Sequence, residues 1–260
     1  MLSLRGLSAE RIRGLSGLLF DLDDTLLDHG ALTAGAYQAL CALAATDLRL
    51  VAVTGRPASW GELVAGMWPI AGAVSENGHL AHARLDGRVV RLDAIDPKVR
   101  AERQLRLHAL SELLLSEFPQ LTPADDVHGR VSDYTFDVGE HQRVAQDVVS
   151  SVRRRAEAQG ARTTLSSVHL HISFDTDDKA SGSVAFLRRR FGVDSTRALA
   201  TYAYVGDSEN DAPCFAAFHT SVGVANLSGA ATLGPRYLCQ GARGAGFAEL
   251  AERLIAARRG

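Results

Sequence analysis

Phe20-Asp21-Leu22-Asp23-Asp24-Thr25-Leu26-Leu27 decides the fold of this chain, because the apolar run Gly17–Phe20 ends directly in three carboxylates. A short apolar run bounded by such a polar turn reads as a buried strand of a parallel sheet. Carboxylates this close repel and raise one another's pKa unless something positive sits among them, and a divalent cation is the usual remedy. Hard oxygen ligands in this number suit Mg²⁺, which binds one or two carboxylates together with a substrate phosphate. Taken alone, the stretch also reads as an acidic turn after an edge strand.

Two further strand ends carry chemistry of the same kind. Residues 48–53 run into Thr54-Gly55-Arg56-Pro57, which offers a hydroxyl, a glycine that allows close backbone approach and a proline that pre-sets a helix start. Residues 202–205 run into Gly206-Asp207-Ser208-Glu209-Asn210-Asp211, a second carboxylate group. In a parallel sheet the C-terminal strand ends share one crevice, so the three motifs are expected to converge. Lys179 joins them. The chain uses 26 Arg and only two Lys, Lys98 and Lys179, so an ammonium at 179 points to a need for a compact point charge. A solvated, salt-bridging loop after Asp175, Asp177 and Asp178 is the plainer reading of Lys179.

Composition fits this picture. Of 260 residues 22% are charged and 46% apolar, and 28 basic against 30 acidic side chains argue against a general nucleic-acid or membrane-surface binder. Cys41, Cys214 and Cys239 are odd in number and widely spaced, which indicates neither a disulfide framework nor a CxxC metal site. With no long apolar stretch or signal region, the expected location is the cytoplasm. The hydrophobic rhythm is that of strands and crossover helices in the outer thirds, so the fold class is α/β with a Rossmann-like parallel sheet. Between them lie a hairpin turning at Asp86-Gly87, helices over 97–118 and 141–159, and strands over 131–138, 162–166 and 168–174. This middle section reads as an inserted α/β domain, with residues 1–80 and 179–260 as the core and 81–178 as the insertion.

FDLDDTLL, VTGR, the lone Lys179 and GDSENDA, in that order, resemble the four motifs of the haloacid dehalogenase superfamily. The insertion, together with Ser75-Glu76-Asn77-Gly78 before it, resembles the type IIB α/β cap, whose members include sugar-phosphate phosphatases, Cof-type phosphatases and phosphomannomutase. Carried over by residue, the resemblance implies Asp21 as nucleophile and Asp23 as general acid and base, with the main-chain carbonyl of Asp23 also touching the metal. It implies Thr54, the Gly55 backbone and Lys179 as phosphoryl holders, and Mg²⁺ on Asp21, Asp23 and Asp207. Asn210 and Asp211 would orient Lys179 or the metal's water. The implied activity is a Mg²⁺-dependent phosphatase of a small phosphorylated sugar or related metabolite, acting without nucleic acid or membrane as a monomer or homodimer. A hexose-phosphate phosphomutase, a phosphoryl-accepting signalling module and a sugar-phosphate sensor without turnover are the alternatives.

Within the insertion, period-2 alternation sets Asp133, Thr135 and Asp137 opposite Tyr134, Phe136 and Val138. The same arithmetic aligns Ser167, His169, His171 and Ser173. Such a polar face either closes over the crevice to read sugar hydroxyls, with Asp133, His169 and His171 as candidate specificity residues, or is simply solvated. Asp175-Thr176-Asp177-Asp178-Lys179 begins like a calcium loop but puts Lys179 at a ligand position, and Gly241, Gly244 and Gly246 lack the GxGxxG spacing.

Overall fold

The computed structural model describes residues 1–166, 168–227 and 232–259. In chain order its strands are β1 (Leu2–Ser3), β2 (Gly17–Phe20), β3 (Arg49–Val53), β4 (Gly72–Ser75), β5 (Leu80–Leu85), β6 (Arg88–Arg91), β7 (Thr122–Pro123), β8 (Asp133–Asp137), β9 (Arg162–Leu165), β10 (His169–Ser173), β11 (Tyr202–Gly206), β12 (Thr220–Gly223) and β13 (Tyr237–Leu238). The helices are α1 (Ala9–Arg13), α2 (Ala34–Ala44), α3 (Ala58–Met67), α4 (Pro97–Glu117), α5 (Gln146–Ala158), α6 (Lys179–Phe191), α7 (Ser195–Thr201), α8 (Ala212–Ala217) and α9 (Arg243–Arg259).

The larger sheet runs β1-β13-β12-β11-β2-β3-β4-β5-β6, parallel throughout except for the last two strands. From β2 the chain builds outward through β3 and β4, and it later returns on the other side through β11 and β12. The order therefore reverses between β2 and β11, and the crevice outside their C-terminal ends is where open α/β sheets bind ligands. The apolar run of β2 is continuous because both of its faces are covered. Leu18 and Phe20 pack with Leu40, Phe247 and Leu250 from α2 and α9, whereas Leu19 packs on the opposite face with Phe186 from α6 and Phe215 from α8.

The smaller sheet, β7-β8-β10-β9, is antiparallel. Phe136, Leu170 and Ile172 on one face pack against Leu107, Leu110 and Leu114 of α4 and Val149 and Val152 of α5, as the alternation requires. Thr135 lies opposite His171, Asp137 opposite His169 and Asp133 opposite Ser173, so these side chains share the other face. Asp133, Thr135, His171 and Ser173 are buried, which overturns the reading of this face as solvated. Ser167, the remaining member of the expected alignment, lies outside the described residues.

The hairpin at Asp86-Gly87 corrects the expected boundary at residue 81. Ser75 pairs with Leu80, Val74 with Ala81 and Ala73 with His82, so β5 and β6 extend the larger sheet. Alternation inside the hairpin is compatible with either sheet. What decides is the turn at Glu76–Gly78, in which Glu76, Asn77 and Gly78 all take positive φ and send the chain back along β4.

That turn also ties the two sheets together. The buried Glu76 carboxylate accepts from the Ala58 N–H at 2.8 Å, the Val131 N–H at 2.9 Å, the Ser132 N–H at 2.6 Å and hydroxyl at 2.5 Å, and the Asp133 N–H at 3.1 Å. Arg130, held by Asp126 and Asp133, donates through Nη1 to the Gly55 carbonyl at 3.0 Å. Burial pushes the Glu76 carboxyl up to about 7, with Asp133 adding to the rise and Ser132 and Arg130 opposing it.

Glu76→Gln turns an NH₂ toward at least two of these donors and is expected to lower Tm by roughly 5–10 °C at pH 8. The folded carboxyl keeps a proton that the unfolded one releases near 4.5, so its contribution falls as pH rises from there to about 7. The Tm gap between wild type and variant is therefore expected to be wider at pH 5 than at pH 8 in thermal melts. A gap that widens on raising the pH would contradict this placement of the proton.

Candidate active site

Asp21 follows β2, Thr54 follows β3 and Asp207 follows β11, three adjacent parallel strands that set all three residues on one edge. Lys179 arrives from a different direction, as the first residue of α6. Asp178 caps that helix by accepting from the Ser181 N–H at 2.8 Å. The fully buried Lys179 ammonium lies 2.7 Å from Asp21 Oδ1, 2.7 Å from Asp211 Oδ1 and 3.1 Å from Asn210 Oδ1. Burial opposes its charge, but Asp21 and Asp211 outweigh that and hold its pKa above the usual lysine range. The predicted convergence of strand-end carboxylates with Lys179 is thus present in the geometry.

Asp211 is fully occupied. Its Oδ1 also accepts from the Tyr204 hydroxyl at 2.5 Å, and its Oδ2 accepts from the Asp207 and Ser208 N–H groups at 2.9 and 3.0 Å. Asp207 is braced by the Thr25 hydroxyl at 3.2 Å and the Asn226 amide at 3.1 Å. Carboxylate oxygens of Asp21, Asp207 and Asp211 lie within 4.8 Å of one another. Burial, and then the neighbouring carboxylates, push Asp21 well up, and burial with Asp211 pushes Asp207 up to about 7. Such a set of hard, crowded oxygens fits a small divalent cation, with Asp21 and Asp207 as its nearest side-chain donors because Asp211 is spent on the lysine.

The Asp23 side chain stands apart from this trio. Its carboxylate forms a fork with Arg56, whose Nε lies 3.0 and 2.9 Å from the two oxygens and whose Nη2 lies 2.6 Å from Oδ1. The guanidinium is seated 3.9 Å above the Trp60 ring. Thr54 is buried behind the loop, with its hydroxyl accepting from the Arg56 N–H at 3.0 Å, while Gly55 faces the crevice.

Above the strand ends, the polar face of the smaller sheet encloses two adjoining cavities. One, of about 510 Å³, is lined by Asp21, Asp23, Gly55, Arg130, His169 and Asp207. The other, of about 790 Å³, is lined by Asn77, Asp133, Ser173, Lys179 and Thr164, and His171 and Asn210 border both. Asp133 is engaged twice, with Arg130 Nη1 at 3.0 Å and with His171 Nδ1 at 2.8 Å. Burial raises the Asp133 pKa, but Arg130 and His171 overcome this and hold it below the usual carboxylate range, while burial pushes His171 down. His169 Nε2 lies 2.7 Å from Glu140 Oε2 and is only partly covered.

Arg56, Arg130, Asn77 and Asn226 were not among the site residues expected from sequence. Asn226 follows β12 at the same sheet edge, so its position was a usable signal. Arg130 sits in an irregular loop with no motif around it, and only the packing of the two sheets brings it to Gly55.

No family model matches the chain. A phosphoglycolate phosphatase of Archaeoglobus fulgidus is 28% identical over 208 residues, covering 79% of this chain and 82% of that protein. The crystal structure of a haloacid dehalogenase-like hydrolase from Bacteroides thetaiotaomicron superposes with a TM-score of 0.65 at 15% identity, covering 92% of this chain and 99% of the other. That of a subclass IIB sugar phosphatase of the same superfamily gives 0.61 at 15% identity over 86% and 93%. The shared fold extends over nearly the whole chain, and the three strand-end motifs meet Lys179, the first residue of α6, at one edge of the larger sheet. The chain has the fold of these haloacid dehalogenase-superfamily hydrolases and is similar in sequence to that phosphatase.

Proposed function

We propose that the protein is a Mg²⁺-dependent phosphatase that hydrolyses a small phosphorylated sugar or related metabolite through an aspartyl-phosphate at Asp21. The observation that carries this reading is the single buried ammonium bonded to both Asp21 and Asp211 beside Asp207. Lys179 holds Asp21 through Oδ1 and leaves Oδ2 as the attacking oxygen. Attack on phosphorus forms the Asp21–phosphorus bond as the ester oxygen departs, and water then breaks the acyl-phosphate to release phosphate.

Asp23 is the group placed to move the proton. Arg56 fixes its carboxyl at the rim of the cavity that Asp21 also lines, where it can protonate the departing oxygen and later take a proton from water. The Gly55 N–H and Lys179 are placed to hold phosphoryl oxygens, with Thr54 shaping that loop from behind. Asp21 and Asp207, with the main-chain carbonyl of Asp23, would hold Mg²⁺, which when bound neutralises charge on the phosphoryl group. Phosphate-monoester hydrolysis calls for more than about 20 kcal/mol of barrier reduction, so these groups must act together. The polar face carrying His169 and His171 closes the crevice and suits hydroxyl-rich leaving groups, which favours a sugar-type ester.

Asp21→Asn is expected to abolish phosphate release from every ester the wild type hydrolyses, and EDTA is expected to silence the wild type reversibly. Retained turnover in the variant would refute the role of Asp21, and isomer formation without phosphate release would point to a mutase. His169→Ala is expected to reorder preference among sugar phosphates while changing turnover of p-nitrophenyl phosphate by less than about threefold. Equal loss on all esters would refute its role as a reader of the leaving group.

A further inference from the structure

The turn Glu76–Gly78 contains a polar side chain that neither the fold nor the proposed chemistry uses. Asn77 adopts φ +55°, a left-handed conformation that asparagine tolerates better than most residues. Its N–H donates to the Thr54 carbonyl at 3.1 Å, and the Glu76 N–H donates to the Arg56 carbonyl at 3.0 Å. The turn therefore clasps the loop on both sides of Gly55. A Cβ placed on Gly55 would lie 3.0 Å from Asn77 Oδ1 and 3.5 Å from Nδ2, so the amide rests directly against that glycine. On its other side, a Cβ on Gly78 would collide with the Asp178 main chain next to Lys179. Asn77 is thus wedged between the two elements placed to hold phosphoryl oxygens.

Asn77 is 8% exposed, and its Oδ1 is buried without a hydrogen-bond partner. A buried amide left unsatisfied lowers stability, and most buried polar groups find a partner. Asn77 also lines the larger cavity together with Lys179 and Asn210, so a ligand there can reach it. The amide NH₂ donates to no group among the described residues, so its two donors remain for an anion in that cavity.

We propose that Asn77 is a third phosphoryl-oxygen ligand, its NH₂ donating to the transferring group between the Gly55 N–H and Lys179; this rests on the phosphatase reading above. It predicts no discrimination among leaving groups, because the amide rests against Gly55 and not on the face of the smaller sheet.

The test is steady-state kinetics of the full-length Asn77→Asp and Asn77→Ala variants with Mg²⁺, on p-nitrophenyl phosphate and on the best sugar phosphate, with orthovanadate inhibition and thermal melts alongside. Asp keeps the size and turn preference of Asn, so it serves where Ala fails to fold. The expected result is a fall in kcat/KM of about 10- to 100-fold on both esters and a parallel rise in the vanadate inhibition constant. Values within about twofold of wild type would overturn the proposal, as would loss confined to one ester. A lowered Tm with unchanged vanadate affinity would also overturn it, because that is what a purely structural role produces. If the wild type hydrolyses neither ester, the phosphatase reading falls and takes this inference with it.

Discussion

One buried ammonium among three buried carboxylates is the constraint on which the rest of the molecule depends. Removing these charges from water is unfavourable, and leaving any of them unpaired would be more so. Lys179 meets that demand for Asp21 and Asp211 with contacts of 2.7 Å to each, and Tyr204 and the main chain at 207 and 208 complete the shell of Asp211. At Asp21 and Asp207 burial first, and then the neighbouring carboxylates, push the carboxyl groups upward against the pull of Lys179. Three crowded carboxylates at the edge of a cavity are an arrangement whose chemistry suits a divalent cation.

The smaller sheet is fixed over that cavity by polar bonds concentrated at two residues. Glu76 gathers five donors, four of them from residues 131–133 across the gap between the sheets, and Arg130 returns a bond to the Gly55 carbonyl. Strand β8 starts where those contacts end. The position of Asp133, and through it the orientation of His171, is therefore coupled to the loop at Gly55. The polar face of the smaller sheet and the Thr54–Arg56 loop of the larger one thus share a framework.

Much of this was legible in the sequence because the decisive signals are local. A run such as Gly17–Phe20 ending in carboxylates needs no partner to be recognised, and three such strand ends can meet only at one sheet edge. The alternation in β8 likewise foretold which side chains face the helices. The hairpin β5–β6 falls within the expected insertion yet extends the larger sheet, because its own pattern is identical in either setting and the positive φ values at Glu76 and Asn77 that reverse the chain leave little trace in residue identity. Arg130 was missed for a related reason: its importance lies in a partner 75 residues away. The burial of Asp133 was hidden too, since an acidic residue in an alternating strand reads as solvent-facing until Arg130 and His171 are seen to pair with it.

The most direct measurement is the position of a metal ion in crystals of the wild-type protein grown with Mn²⁺ and orthovanadate. An anomalous peak bonded to carboxylate oxygens of both Asp21 and Asp207, with vanadium next to Asp21 and within reach of Lys179, is the expected result. A peak held elsewhere, or no ion between those two residues, would contradict the central claim that this carboxylate cluster is built to gather a cation and a phosphoryl group at Asp21.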